Sequence, residues 1–401
     1  MNILNEAKAL NEQIVTDRRA LHQIPELGLQ LPKTKKYVMD RLRELGYDPQ
    51  EIGTSSITAL AGGKKPGKVF LLRADMDALP IKELTGLPFA SGNDNMHACG
   101  HDSHTAMLLG AAKLLKEYED EIEGTVKLFF QAGEEPLVGA KEAVDAGLLE
   151  NPKVDGAMMI HIASGVPGLT GAMGICSSGP VFSSCDWFRV DVQGVGGHGS
   201  TPEQGISPVN ILCAVNTGIQ EIMSMVVPAV QRAVMTVGQI YAGEVNNVIP
   251  DTGYLTGTIR TLDETTRKLI KTKLEIMVKS VAEARGASAM VTFSNSTPCN
   301  VCDPAVRELA FEVFPQVLGE DKVKNMEVEL GGNFARVSGS EDFAFISERV
   351  PSFIGFLFAG NIEEGYKVFS HNPRTDFKES DFYIGTASYV GLALEWLKRN
   401  K

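Results

Sequence analysis

Three apolar runs, each handing over at once to a polar cluster, set the tightest limit on what this chain can fold into. Val69-Phe-Leu-Leu72 leads into Arg73-Ala-Asp-Met-Asp77, and residues 124–131 (Gly-Thr-Val-Lys-Leu-Phe-Phe-Gln) lead into Gly133-Glu-Glu-Pro136. Gly156-Ala-Met-Met-Ile160 is closed by His161. Runs this continuous suit strands buried on both faces of a parallel sheet. In open α/β sheets ligands bind just beyond the carboxyl ends of the strands, so the clusters should converge on one crevice.

A fourth cluster lies between the first two runs. Asn95-Met-His-Ala-Cys-Gly-His-Asp-Ser-His104 places three of the seven histidines and one of the six cysteines in ten residues. Imidazole and thiolate bind borderline-soft divalent ions, and a Cys-x-His pair in extended backbone can aim both donors at one point. The alternative is a polar loop that happens to be rich in histidine. After it, Asp102 or Ser103 can cap a helix running to about Glu117. Asp75, Asp77, Cys99, His101, Glu134, Glu135 and His161 are expected to be neighbours.

The tandem Glu134-Glu135 cannot point both carboxylates the same way in extended backbone. One can bind a metal ion while the other stays free beside it as a general base toward water. That arrangement serves hydrolysis of a carbonyl compound, most simply an amide. The competing reading is a carboxylate that caps the following helix.

At 401 residues the chain exceeds what one core normally serves. Residues 4–22 and 34–45 read as two amphipathic helices, with His22 a structural residue in the turn between them. Residues 184–297 read as strand (187–192), helix (208 to about 225), strand (233–241), strand (253–260), helix (263 to about 284) and strand (288–293). That β-α-β-β-α-β order is a ferredoxin-like unit, inserted into an α/β domain made of residues 1–183 and 298–401. A helix over 304–318, a strand over 353–358 and a helix over about 383–398 complete the outer domain. Within the insert, Gly196-Gly-His-Gly199 frees His198 to reach across a cleft, although a solvated loop histidine has the same sequence.

A net charge of −12 without a Lys/Arg stripe disfavours a nucleic-acid partner. No run of about 18 apolar residues and no leader-like start occurs, so a soluble, cytoplasmic chain without a membrane partner is expected. Six scattered cysteines predict reduced thiols. Cys299-Asn-Val-Cys302 has redox-motif spacing but opens no recognisable helix, and reads as coincidence.

Seven segments together resemble one family. Arg73-Ala-Asp-Met-Asp-Ala-Leu-Pro80, His97-Ala-Cys-Gly-His-Asp-Ser-His-Thr105, Gln131-Ala-Gly-Glu-Glu135, Gly196-Gly-His-Gly199, Asn247-Val-Ile-Pro250, Ser340-Glu-Asp-Phe343 and His371-Asn-Pro-Arg374 are similar to the M20 metallopeptidases. The branch is that of hippurate hydrolase, indole-acetyl-amino-acid hydrolase and N-acyl-amino-acid deacylases. The resemblance implies a zinc-exopeptidase-like catalytic domain, a mixed sheet flanked by helices, with an inserted lid and dimerisation domain. It implies a site for two divalent ions, Zn or Mn, held by Cys99, His101, Glu135, His161 and His371, with Cys99 bridging. Glu134 then resembles the catalytic base and Asp77 a carboxylate that orients a ligand, while Asp75 and His104 receive no metal role. His198 resembles a lid histidine that reaches the partner subunit's site in dimers, and Asn247 and Arg260 match positions that hold a substrate carboxylate. The implied substrate is an N-acyl amino acid or a small dipeptide-like amide; the alternative is a binding protein of the same fold without catalysis. Two departures stand beside the base: Pro136-Leu-Val138 replaces a usually glycine-rich stretch, and Ala132-Gly133 replaces Pro-Ala.

Overall fold

A computed structural model describes residues 2–331 and 337–401. The chain divides into two compact units. One comprises Met1–Val181, Val301–Arg336 and Glu341–Lys401, of which residues 1 and 332–336 lie outside the described set; the other comprises Phe182–Asn300 and Val337–Ser340.

The first unit is built on an eight-stranded mixed sheet. Its strands are β1 (Gln50–Ile52), β2 (Ser56–Gly62), β3 (Val69–Asp75), β4 (Thr125–Gln131), β5 (Gly156–Ala163), β6 (Ala172–Ile175), β7 (Val323–Asn325) and β8 (Ser352–Phe358). They lie in the order β1-β2-β4-β3-β5-β8-β6-β7. The central four, β4-β3-β5-β8, are mutually parallel, with Asp75 opposite Gln131, Arg73 opposite Met159 and Ala163 opposite Phe358. Every residue of β3 and β8 is buried, as a strand covered on both faces by helices requires.

The covering helices are α1 (Ile3–Ala9), α2 (Asn11–His22), α3 (Pro32–Glu44), α4 (His101–Glu117), α5 (Gly139–Asp145), α6 (Pro304–Leu318) and α7 (Phe382–Arg399). The helix expected over residues 4–22 is thus two helices, parted at Leu10. Helix α4 starts without a side-chain cap. Asp102, inside the first turn, accepts the Ser103 N–H at Oδ1 (2.9 Å), while its Oδ2 takes an ion pair with Arg18 (2.9 Å) and contact with His22 (2.7 Å). Gly100 precedes the helix at φ +88°, and a Cβ there would meet Ile162 Cγ2 at 2.4 Å. The turn into α4 therefore requires glycine.

The second unit is a four-stranded antiparallel sheet with two helices. The strands Ala233–Ala242, Thr252–Thr261, Cys185–Gln193 and Ser288–Thr297 lie in that spatial order, a ferredoxin-like topology. Helix Glu264–Glu283 is capped by Asp263, whose carboxylate accepts the Thr266 N–H at 2.6 Å. Helix Pro208–Glu221 and the turn after it are long and apolar enough to cross a membrane by length and composition alone. Ile211, Leu212, Val215 and Ile219 instead fill this unit's core with Val190, Leu255, Ile270 and Leu274.

Candidate metal centre

The polar clusters beyond β3, β4 and β5 meet in the first unit, joined by the loop before α4. Asp77, two residues past β3, accepts the backbone N–H of Glu134 at Oδ1 (3.0 Å) and of Glu135 at Oδ2 (3.1 Å). One carboxylate therefore sets the turn that carries both glutamates. The same Oδ1 lies 3.4 Å from His101 Nδ1, and His101 Nε2 lies 3.6 Å from Asp75 Oδ2, 3.8 Å from Glu134 Oε2 and 3.9 Å from Glu135 Oε1. Gly139 closes this turn against Ala132, whose carbonyl oxygen would sit 1.6 Å from any Cβ.

Two donor triads share the Cys99 thiol: Cys99-His101-His161 and Cys99-Glu135-His371, each with ligand atoms within 4.8 Å of one another. Cys99 Sγ lies 3.4 Å from His161 Nε2, and His371 Nε2 lies 3.6 Å from Glu135 Oε1. His371 arrives from the far end of the chain at φ +66°, in the left-handed region, and its N–H donates to the Ala98 carbonyl at 2.8 Å. A non-glycine residue held there marks a position where geometry outweighs backbone comfort.

These residues fit a pair of divalent ions. Both ring nitrogens of His101 and Oε1 of Glu135 are buried without a hydrogen-bond partner among the described residues, a state that buried polar atoms adopt rarely. Burial pushes the Cys99 thiol well up and, over the opposing effect of His101, raises Glu135 to about 7. Burial holds His161 down to about 3, so its ring is neutral and able to donate a lone pair. Cations among these donors would favour the thiolate and the carboxylate.

Behind the donors lies a dense charge cluster to which the sequence assigned no role. The Arg73 guanidinium is wholly buried, 2.7 Å from Asp75, 2.8 Å from Glu341 and 3.2 Å from Asp342. Gln131 joins it, accepting from Arg73 at 2.9 Å and donating to Asp342 at 2.7 Å. Burial, then the neighbouring Glu341 and Glu135, raise the Glu134 carboxyl well above the usual range. A base that holds a proton readily is the result. The signal in the sequence was an arginine inside an otherwise apolar buried strand.

Residues 71–395 match peptidase family M20/M25/M40. This chain belongs to that family. Thermostable carboxypeptidase 2 of Saccharolobus solfataricus is 35% identical over 98% of this chain and 97% of its own. Hippurate hydrolase of Campylobacter jejuni is 33% identical over 99% of this chain and all of its own (100%). A crystal structure of a dinuclear metal binding peptidase from the M20 family, from Bacillus subtilis, superposes with a TM-score of 0.80 at 29% identity, covering 98% of this chain and 99% of that one. This M20 protein is an enzyme, and its reaction is metal-dependent amide hydrolysis.

Three sequence candidates of the M20 chain lie in the second unit. His198 and Asn247 share a short ribbon: His198 pairs with Val248, and the Gly199 N–H donates to the Asn247 carbonyl at 2.8 Å. His198 Nδ1 accepts the Ser200 N–H at 3.1 Å, which leaves the ring proton on Nε2, and the residue is exposed. Arg260 donates to Ser340 Oγ at 2.8 Å and lines a cavity of about 500 Å³ with Ser183, Arg232 and Thr261. Cys299 and Cys302 are buried, with thiols pushed up by burial to about 11 and about 12, which is the opposite of a reactive pair.

Proposed function

We propose that this enzyme removes the acyl group from an N-acyl amino acid or a small peptide-like amide, with Glu134 as general base. Cys99, His101, Glu135, His161 and His371 would hold the two divalent ions. Bound there, zinc or manganese supplies Lewis acidity to the scissile carbonyl and makes water easier to deprotonate. Glu134 takes the proton from water on its carboxylate and passes it to the leaving amine nitrogen. His198 of a second copy of the chain donates its Nε2–H to the developing oxyanion. Asn247 and Arg260 hold the substrate's carboxylate, which suits a guanidinium.

The observation that carries this reading is the Asp77 clamp. By accepting both adjacent N–H groups it holds Glu135 among the donors and Glu134 buried beside them, its Oε2 3.8 Å from His101 Nε2. Dimerisation through the second unit has its own support. The ten-residue strand Ala233–Ala242 is an open sheet edge carrying exposed Val234, Ile240 and Tyr241, a surface that favours pairing. A cytoplasmic setting agrees with six free cysteines, five of them buried.

Glu134→Gln should lower kcat by roughly 10²–10⁴-fold while bound metal stays at the native level. Turnover at the native rate would remove Glu134 from the mechanism. A screen of acetyl, benzoyl, indole-acetyl and long-chain acyl amino acids, with Zn²⁺ or Mn²⁺ added, identifies the substrate; no hydrolysis of any would refute the substrate class.

A further inference from the structure

His104 is buried between two of the metal donors without being one. Its ring centroid lies 5.5 Å from that of His101 and 4.9 Å from that of His161. Both of its nitrogens are engaged: the Ile162 N–H donates to Nε2 at 2.7 Å, and Nδ1 lies 2.6 Å from Asp75 Oδ1. An accepting Nε2 carries the lone pair, so the proton is on Nδ1 and points at Asp75. The ring has no lone pair left for a metal ion.

The Ile162 N–H needs this acceptor. The ladder between β3 and β5 ends at Arg73 opposite Met159, whereas β5 continues to Ala163. A buried N–H beyond the end of its ladder costs roughly 1–3 kcal/mol unless something else accepts it. The carbonyl of the same residue accepts from His161 Nδ1 at 2.6 Å. With that proton committed to Ile162, the lone pair of His161 is on Nε2, the atom 3.4 Å from Cys99 Sγ.

We propose that His104 is a positioning residue of the metal centre: by holding Ile162 it fixes the tautomer and aim of the ligand His161. The chain of contacts runs Asp75, His104, Ile162, His161, and Arg73 anchors it by holding the other Asp75 oxygen at 2.7 Å. Partners that act through a ligand in this way set its basicity and direction.

The inference rests on His161 being a ligand, and two isosteres separate the halves of the contact. In His104→Gln the Oε1 atom can still accept from Ile162. In His104→Asn the side-chain amide can still donate to Asp75 but cannot reach Ile162. Zn²⁺ affinity, read by competition with a chromophoric chelator, should fall roughly 10–100-fold in His104→Asn and stay within about threefold in His104→Gln. The visible spectrum of the Co²⁺-loaded protein should change only in His104→Asn. Native Zn²⁺ affinity in His104→Asn, or an equal loss in both variants, overturns the proposal. Nitrogen-15 NMR of the histidine-labelled native protein tests it without a variant. It should find His104 and His161 protonated on Nδ1, and His161 protonated on Nε2 refutes the idea. A native protein that binds no Zn²⁺ would instead sink the metal-centre reading itself.

Discussion

The His22 ring offers a quantitative test of the charge cluster that supports the loop before α4. Its Nδ1 lies 2.7 Å from Asp102 and its Nε2 3.2 Å from Glu83, so only the imidazolium can donate to both carboxylates. Burial alone would lower its pKa, but Asp102 and Glu83 overcome that and raise it from 6.5 to about 9. At about 1.4 kcal/mol per pKa unit, the protonated ring stabilises the fold by about 3 kcal/mol. Because the folded value is raised, this contribution is complete below about pH 6.5 and is lost as pH rises through about 9. Glu83 runs the other way. Burial raises it, but His22 and its other partners bring it down to about 2, so its share is present above 4.5 and lost as pH falls through about 2. The cluster is therefore most stabilising between about pH 4.5 and 6.5. The chain's two tryptophans fall one in each unit, so a Trp187→Phe background leaves Trp396 reporting the first unit alone. In urea unfolding followed by that fluorescence, His22→Gln should cost about 3 kcal/mol near pH 6 and under about 0.5 kcal/mol near pH 10. A cost that does not change with pH, or an NMR titration placing His22 at or below 6.5, would refute this assignment of charge to the ring.

Arg73→Met should destabilise the first unit by about 3–5 kcal/mol, because Asp75, Glu341 and Asp342 are left buried without a cation; adding Glu341→Gln should recover part of the loss in a double-mutant cycle. Gly139→Ala places a methyl group 1.6 Å from the Ala132 carbonyl oxygen, and its thermal midpoint should drop by an amount equivalent to at least about 3 kcal/mol. Asp77→Asn turns an amide NH₂ toward one of the two glutamate N–H groups; metal affinity, measured by equilibrium dialysis, should fall roughly 10–100-fold, and unchanged affinity would show that the clamp is dispensable.

A feature of this fold is legible in the sequence to the extent that it does not depend on neighbours distant along the chain. Parallel strands bring their carboxyl ends to one edge, so the gathering of Asp77, Glu134, Glu135 and His161 could be read from three apolar runs and the polar residues at their ends. The ferredoxin-like order was legible for the same reason, since each of its elements shows its own periodicity. His371 was not: nothing local marks it, and only family resemblance singled it out. Asp102 was legible only in part: a local rule accounts for its bond from the Ser103 N–H, whereas Arg18 and His22 lie 84 and 80 residues away and become partners only on folding. Arg73 and Glu341 are 268 residues apart and meet by the same route. The subtler difficulty lies among the histidines. His101, His104 and His161 are the same residue type in one crevice, and composition gives each an equal claim to a metal ion. The number of free lone pairs separates them. Neither ring nitrogen of His101 has a hydrogen-bond partner among the described residues, and His161 gives Nδ1 to the Ile162 carbonyl and keeps Nε2. His104 spends both nitrogens on Asp75 and the Ile162 N–H. Whether a histidine binds a metal or positions one that does is decided by its hydrogen bonds, and those exist only once β3, α4 and β5 have come together.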